Sequence, residues 1–243
     1  MHFTDKYYFL NSQLFRIAST ALYITSRAIM YSNRRCMFII ARNITTQPVR
    51  TIVSVNSCNV ITENVGVKAG PDFKTFFRTH TPSELISPWH NIPLIDSGTK
   101  FSNEKVYNFV CEIPALTRAK MEIATKEQFN PMKQDLTKSG MLRDYHGPIF
   151  WNYGFLPQTW ENPTCGIGGG DRYCGDNDPI DVVEVGGRIA EYNSISPVIV
   201  LGALGLIDGG EIDWKMIAIN VNDDLVTKHH VTDIASLCQH SPY

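Results

Sequence analysis

From Phe73 onward, apolar and polar residues alternate in short runs that end at Pro, Gly or Ser. FKTFFR (73–78), KVYNFVCEI (105–113) and AKMEIA (119–124) combine aromatic and β-branched residues in this way, which is the pattern of strands. PIDVVEV (179–185), PVIVLGALGLI (197–207) and WKMIAINV (214–221) continue it. Helical signals are few, and the clearest covers Val231–Cys238 with Thr232 or Asp233 as a cap. Many short strands with few interleaved helices predict a mainly β (α+β) fold, its mostly antiparallel sheet closed into a barrel.

The patterning fails before residue 63. Residues 1–62 hold seven Lys and Arg against the single acid Asp5, while the remainder carries 15 bases and 23 acids. A basic head rich in Ser, Thr and Arg, with no sustained period, is the composition of an organellar transit peptide. The expected division is therefore a targeting segment over 1–62 and one barrel domain over 63–243. A mitochondrial address is preferred, with plastid or cytoplasm as alternatives. The acidic body is a poor partner for phosphate backbones, so no nucleic acid is expected. No apolar run approaches the roughly 18 residues of a membrane-spanning helix, so none is expected to cross a membrane.

Several motifs can be set aside. GIGGGDR (166–172) lacks the third Gly of a dinucleotide loop and the Gly-Lys-Ser/Thr of a phosphate loop, and reads as a surface turn. His229 and His230 have no third ligand at metal spacing. The six cysteines show no C-x-x-C pair, and free thiols in a reducing compartment are expected.

GDNDPIDVVEVG (175–186) is the informative run, with Asp176, Asp178 and Asp181 within six residues. Carboxylates that close repel unless a cation lies between them. Oxygen-only ligation with no His or Cys selects a hard ion, Mg2+ or Mn2+. Pro179 biases Asp178 to an extended backbone, so Asp176 and Asp178 face one side. Further acids follow at strand ends: Asp208, Glu211 and Asp213 in DGGEID, Glu112 in CEIP, and Glu122 beside Lys120. Three such clusters in one acidic domain predict a shared metal site, with Lys120 and Arg143 as candidate clamps for a substrate anion.

DNDPIDV (176–182) resembles the signature of the family I soluble inorganic pyrophosphatases. The similarity extends over SPWHNIPL (87–94), CEIP (111–114), AKMEIATKEQFNPMKQD (119–135), WNYGFLPQTWENP (151–163) and DWKMIAINVND (213–223). It implies an OB-like five-stranded closed barrel with flanking helices, a homodimer, and Mg2+-dependent hydrolysis of inorganic diphosphate to two phosphates. By position, it implies Asp176, Asp181, Asp208 and Asp213 as metal ligands, with Glu112 and Glu122 supporting further metal sites. Asp178 is the implied general base toward a water polarised by Mg2+. Lys120, Arg143 and Tyr153 are implied to bind the phosphoryl oxygens, with Lys215 and Glu161 lining the same cavity.

The sequence departs from the family in two places. Relatives carry D-E-G-E where this chain has DGGE, which replaces an acid by Gly209. They also continue beyond the position of Tyr243 into a segment that gives a Tyr and two Lys to the phosphates, and then into a long C-terminal helix. Without that helix and those groups, the resemblance implies a chain that binds metal yet turns over slowly. A catalytically impaired metal- or diphosphate-binding paralogue, or a truncated isoform, is the alternative.

Overall fold

The computed structural model describes residues 59–101, 104–164 and 173–240, together with the backbone of residues 28–31. Its central feature follows from one long strand. β10 (Ile195–Asp208) pairs antiparallel through Ile195–Val198 with β5 (Tyr107–Ile113), and from Val198 onward with β11 (Glu211–Asn220). β11 runs parallel to β9 (Asp181–Glu184), β9 antiparallel to β8 (Asn152–Phe155), and β8 antiparallel to β5. These pairings close a ring, so the expected five-stranded OB-like barrel is present.

Alternation along the strands sorts the side chains. Val182 and Met216 turn inward to meet Phe109, Leu156 and Val198 in a buried cluster. Their neighbours Asp181 and Lys215, paired across β9 and β11, therefore face outward together. Over that outer face lies a second sheet built from β2 (Val60–Val65), β3 (Lys74–Thr79), β4 (Leu85–Ile86), β6 (Met121–Ile123) and β7 (Met132–Gln134). Phe77, Met132 and Ile123 of this sheet pack against Phe155 and Val110 of the barrel. On another side, α1 (Asp224–Thr227) and α2 (Ile234–His240) place Val226 and Leu237 on Ile199 and Ile219. Asp223 caps α1 by accepting from the Leu225 amide, as a short polar N-cap should.

Some details differ from the sequence expectation. The run at 119–124 shortens to β6 because the Lys120 backbone pairs elsewhere: its amide donates to Arg143 and its carbonyl accepts from Asp135. β2, β4, β7 and β8 are additional strands. β1 (Ala28–Tyr31), within the basic head, pairs antiparallel with Ala203–Leu206 of β10. β2 straddles the expected boundary at residue 62. GIGGGDR (166–172) lies outside the described residues. The β10–β11 turn explains Gly209: Gly209 and Gly210 have φ of 58° and 98°, the two positive values that a type I′ hairpin requires. An acid at 209 would have to enter that left-handed region.

Candidate active site

The site is assembled where the barrel's outer face meets the second sheet. Asp181 opens β9, and its Oδ2 accepts from Tyr153 Oη at 2.6 Å. Lys215 on β11 reaches two carboxylates, donating to Asp181 Oδ2 and Asp213 Oδ1. Its ammonium lies 5.6 Å from the centroid of the Tyr153 ring. The loop before β9 brings up the other two acids. The Asp178 amide donates to Asp176 Oδ1 at 2.9 Å, and the Asp178 carbonyl accepts from the Glu161 amide at 2.9 Å. That close approach requires Gly175, where a Cβ would lie 2.4 Å from the Glu161 carbonyl carbon.

Glu161 is buried beneath this loop. Its Oε1 accepts from the Trp214 amide at 3.0 Å, whereas its Oε2 is buried without a partner. Glu112 comes from β5, and its Oε1 accepts from the Ile123 amide at 2.7 Å, which ties the barrel to β6.

The opposite rim carries the cations. Lys120 Nζ donates to Glu122 Oε2 and Asp135 Oδ2, both at 2.9 Å. Arg143 Nη1 donates to the same Asp135 oxygen at 2.8 Å. Asp135 thus holds Lys120 and Arg143 side by side, and these two bonds keep its carboxyl below the usual range in spite of burial.

Burial, and after it the crowding of like charge, governs the protonation of the acids. Burial, followed by the charges of Asp176 and Asp213, lifts Glu161 to about 9. Burial and then Asp176 lift Asp178 to about 6, against the pull of a hydrogen bond from Thr125. Glu112 is held well above its ordinary value by burial and then by Asp181. Asp181 is raised by burial in spite of Lys215. Tyr153 stays a phenol, its pKa driven well up by burial and then Asp181, so it remains a donor.

Oxygen-only donors in surplus negative charge, with one orphaned buried carboxylate oxygen on Glu161, suit a hard divalent cation. In this conformation, among the described residues, no three acids converge as a ligand set. Lys215 supplies the positive charge between Asp181 and Asp213 instead.

Of the residues singled out in the sequence, Asp176, Asp178, Asp181, Asp213, Glu112, Glu122, Lys120, Tyr153 and Lys215 gather at this junction. Arg143 reaches it through Asp135. Asp208 stands apart on the exposed hairpin tip, paired in register with Glu211. Sequence reasoning missed Asp135 and Tyr145. The pKa of Tyr145 is raised by burial, and its hydroxyl feels the charges of Lys120, Asp181 and Lys215. Asp135 lies in the AKMEIATKEQFNPMKQD run, but nothing in its spacing marks it as the partner of two cations.

Comparison with known proteins agrees with this picture. The family model described as inorganic pyrophosphatase matches residues 109–242. The chain is 47% identical over 184 residues to an inorganic pyrophosphatase of Drosophila melanogaster, covering 73% of this chain and 51% of that one. It is 46% identical over 189 residues to the mouse protein named inorganic pyrophosphatase 2, mitochondrial, covering 71% and 56%. The chain thus spans about half the length of the curated relatives it matches. The crystal structure of the type I inorganic pyrophosphatase from Toxoplasma gondii superposes with a TM-score of 0.67 at 39% identity, over 75% of this chain and 78% of that one. An N-terminally truncated vacuolar soluble pyrophosphatase from Trypanosoma cruzi, crystallised with PPi, gives 0.68 at 38% identity, over 83% and 80%.

Proposed function

Because the chain belongs to the family I inorganic pyrophosphatases, we propose that it hydrolyses inorganic diphosphate to two phosphates with Mg2+ as cofactor. One observation carries this reading: Asp181 of DNDPID shares an outward face with Tyr153 and Lys215, next to the loop that carries Asp176 and Asp178, while Asp135 gathers Lys120 and Arg143. Anion clamps facing a carboxylate cluster suit a substrate that arrives with its own cations.

Asp176, Asp181 and Asp213 would hold Mg2+, with Glu112 and Glu122 supporting it; Asp208, out on the hairpin tip, would complete the set only if the hairpin folded inward. Bound Mg2+ supplies the charge that neutralises diphosphate and makes an attacking water more acidic. Asp178, near 6, is mostly ionised at neutral pH and able to take that proton. Lys120 and Arg143 bind phosphoryl oxygens, and Tyr153 donates from a neutral hydroxyl. Lys215, held by Asp181 and Asp213, is the further cation of the site and would steady the leaving phosphate, where negative charge grows.

The test is phosphate release from diphosphate at saturating Mg2+. The wild-type chain should show Mg2+-dependent release, and Asp178→Asn should lower it about 100-fold or more. A wild-type chain with no Mg2+-dependent release overturns the reading.

The same reading includes a homodimer, supported by the exposed apolar side chains of Leu116, Phe150 and Ile189. It also includes import into mitochondria directed by the basic head. A reporter fused to residues 1–62 should enter the organelle, and a diffuse cytosolic signal would contradict that.

A further inference from the structure

Where β5 pairs with β8, residues 110–113 of β5 lie opposite residues 153–155 of β8, one residue more on the β5 side. Cys111 pairs with Gly154 and Ile113 with Tyr153, so Glu112 is the extra residue of a β-bulge. A bulge re-aims a side chain, and this one turns Glu112 out to β6, where its Oε1 accepts from the Ile123 amide at 2.7 Å. Bulges need to be held. Just beyond it, the Ala115 amide donates to Oδ1 of Asn152 at 2.9 Å.

Asn152 is 1% exposed, and every hydrogen-bonding position of its side chain is used. Oδ1 accepts a second bond from the Ala190 amide at 2.9 Å. Nδ2 donates to Glu184 Oε2 at 2.6 Å and to the Arg188 carbonyl at 2.8 Å. One amide therefore joins the end of β5, the end of β9 and the loop after it. The residue next to it in β8 is Tyr153, which binds Asp181 at the other end of β9.

We propose that Asn152 is a positioning residue: it locks the β5 bulge against β8 and β9 and so fixes Glu112, Tyr153 and Asp181 in one arrangement. It touches neither substrate nor cation. This inference rests on the proposed Mg2+ site. Groups that orient ligands from behind typically change metal affinity 10- to 100-fold when removed.

The experiment measures, by thermal unfolding of the full chain, the Mg2+ concentration giving half-maximal stabilisation. Asn152→Asp sets one carboxylate against another and should raise that concentration about tenfold or more. Asn152→Asp combined with Glu184→Gln exchanges amide and carboxylate between the two positions, restores a donor–acceptor pair, and should return most of the shift. Should Asn152→Asp fail to fold, Asn152→Ser cuts the clamp without adding charge and carries the same expectation.

A lower melting temperature in EDTA with an unchanged Mg2+ midpoint would make Asn152 a structural residue only and overturn the proposal. So would a double variant that regains its EDTA stability but keeps the shifted midpoint. A wild-type chain that does not respond to Mg2+ overturns the cation reading, and this inference with it.

Discussion

Asp181 receives Tyr153 Oη and the Lys215 ammonium on a single oxygen, and its charge raises Glu112. Asp181→Ala therefore removes the acid shared by most of the site. Mg2+ should raise the wild-type melting temperature, because it binds the folded state alone, and Asp181→Ala should lose that response. A variant that responds as wild type does would sink the assignment. Glu184 offers a pH test away from these acids. Its carboxylate accepts from Asn152, Gly186 and Asn220, yet burial dominates and raises its pKa. A raised carboxyl keeps its proton in the folded state while the unfolded chain has released it, so this group costs stability as pH rises above the ordinary Glu value. Glu184→Gln should be less stable than wild type by about 1–3 kcal/mol, since two amide donors then face each other. The gap should narrow from pH 5 to pH 8 in EDTA. Urea midpoints at the two values check it, and a widening gap would refute the sign.

The β5–β8 pair shows what an element demands of sequence. A Cβ on Gly154 would lie 1.9 Å from the Val110 carbonyl oxygen, a backbone atom that cannot swing aside. Gly154→Ala should cost more than about 3 kcal/mol and separate the two strands. Amide exchange that leaves β5–β8 as protected as the rest of the barrel would disprove it. The same pair marks where sequence reading stops. β5, β10 and β11 are legible because their runs are long and rich in β-branched and aromatic residues, and the shorter β9 because its centre is Val182–Val183. WNYGF is short, and its Asn and Gly argue against a strand until their contacts are seen. β7 has three residues and is set by pairing, not periodicity, and pairing likewise trims the predicted run 119–124 to the three residues of β6. At the site, DNDPID declares its chemistry because carboxylates that close have few other uses. Asp135, Tyr145 and Asn152 do not, because their partners lie 8 to 38 residues away in sequence or act only through the fold. Asp208 is the converse case: the acidic run DGGEID marks it as a site residue, yet it sits on a hairpin tip set by Gly209 and Gly210.

At the scale of the molecule, the four aspartates of the site and the Lys120–Arg143 pair belong to different sheets. Asp176, Asp178, Asp181 and Asp213 ride on the barrel and its loops, while Lys120 and Glu122 enter with β6, and Asp135 and Arg143 follow just beyond β7. What fixes one rim against the other is the apolar junction of Phe77, Ile86, Trp89, Ile123 and Met132 with Val110 and Phe155. Phe77 is fully buried at its centre. Phe77→Ala should cost about 3–5 kcal/mol, from lost transfer energy and the cavity left behind. Phe77→Leu keeps most of the volume and should cost far less. The loss should appear in a single cooperative transition, because neither sheet covers its own apolar face. Trp89 and Trp160 both border this junction, so their fluorescence follows it directly, while far-UV circular dichroism follows the barrel. Coincident urea curves at a lowered midpoint are expected, together with weaker stabilisation by diphosphate as the clamp moves away from the acids. Two separated transitions, with the barrel persisting after the junction opens, would mean that the sheets are independent and that the site is not held by their packing.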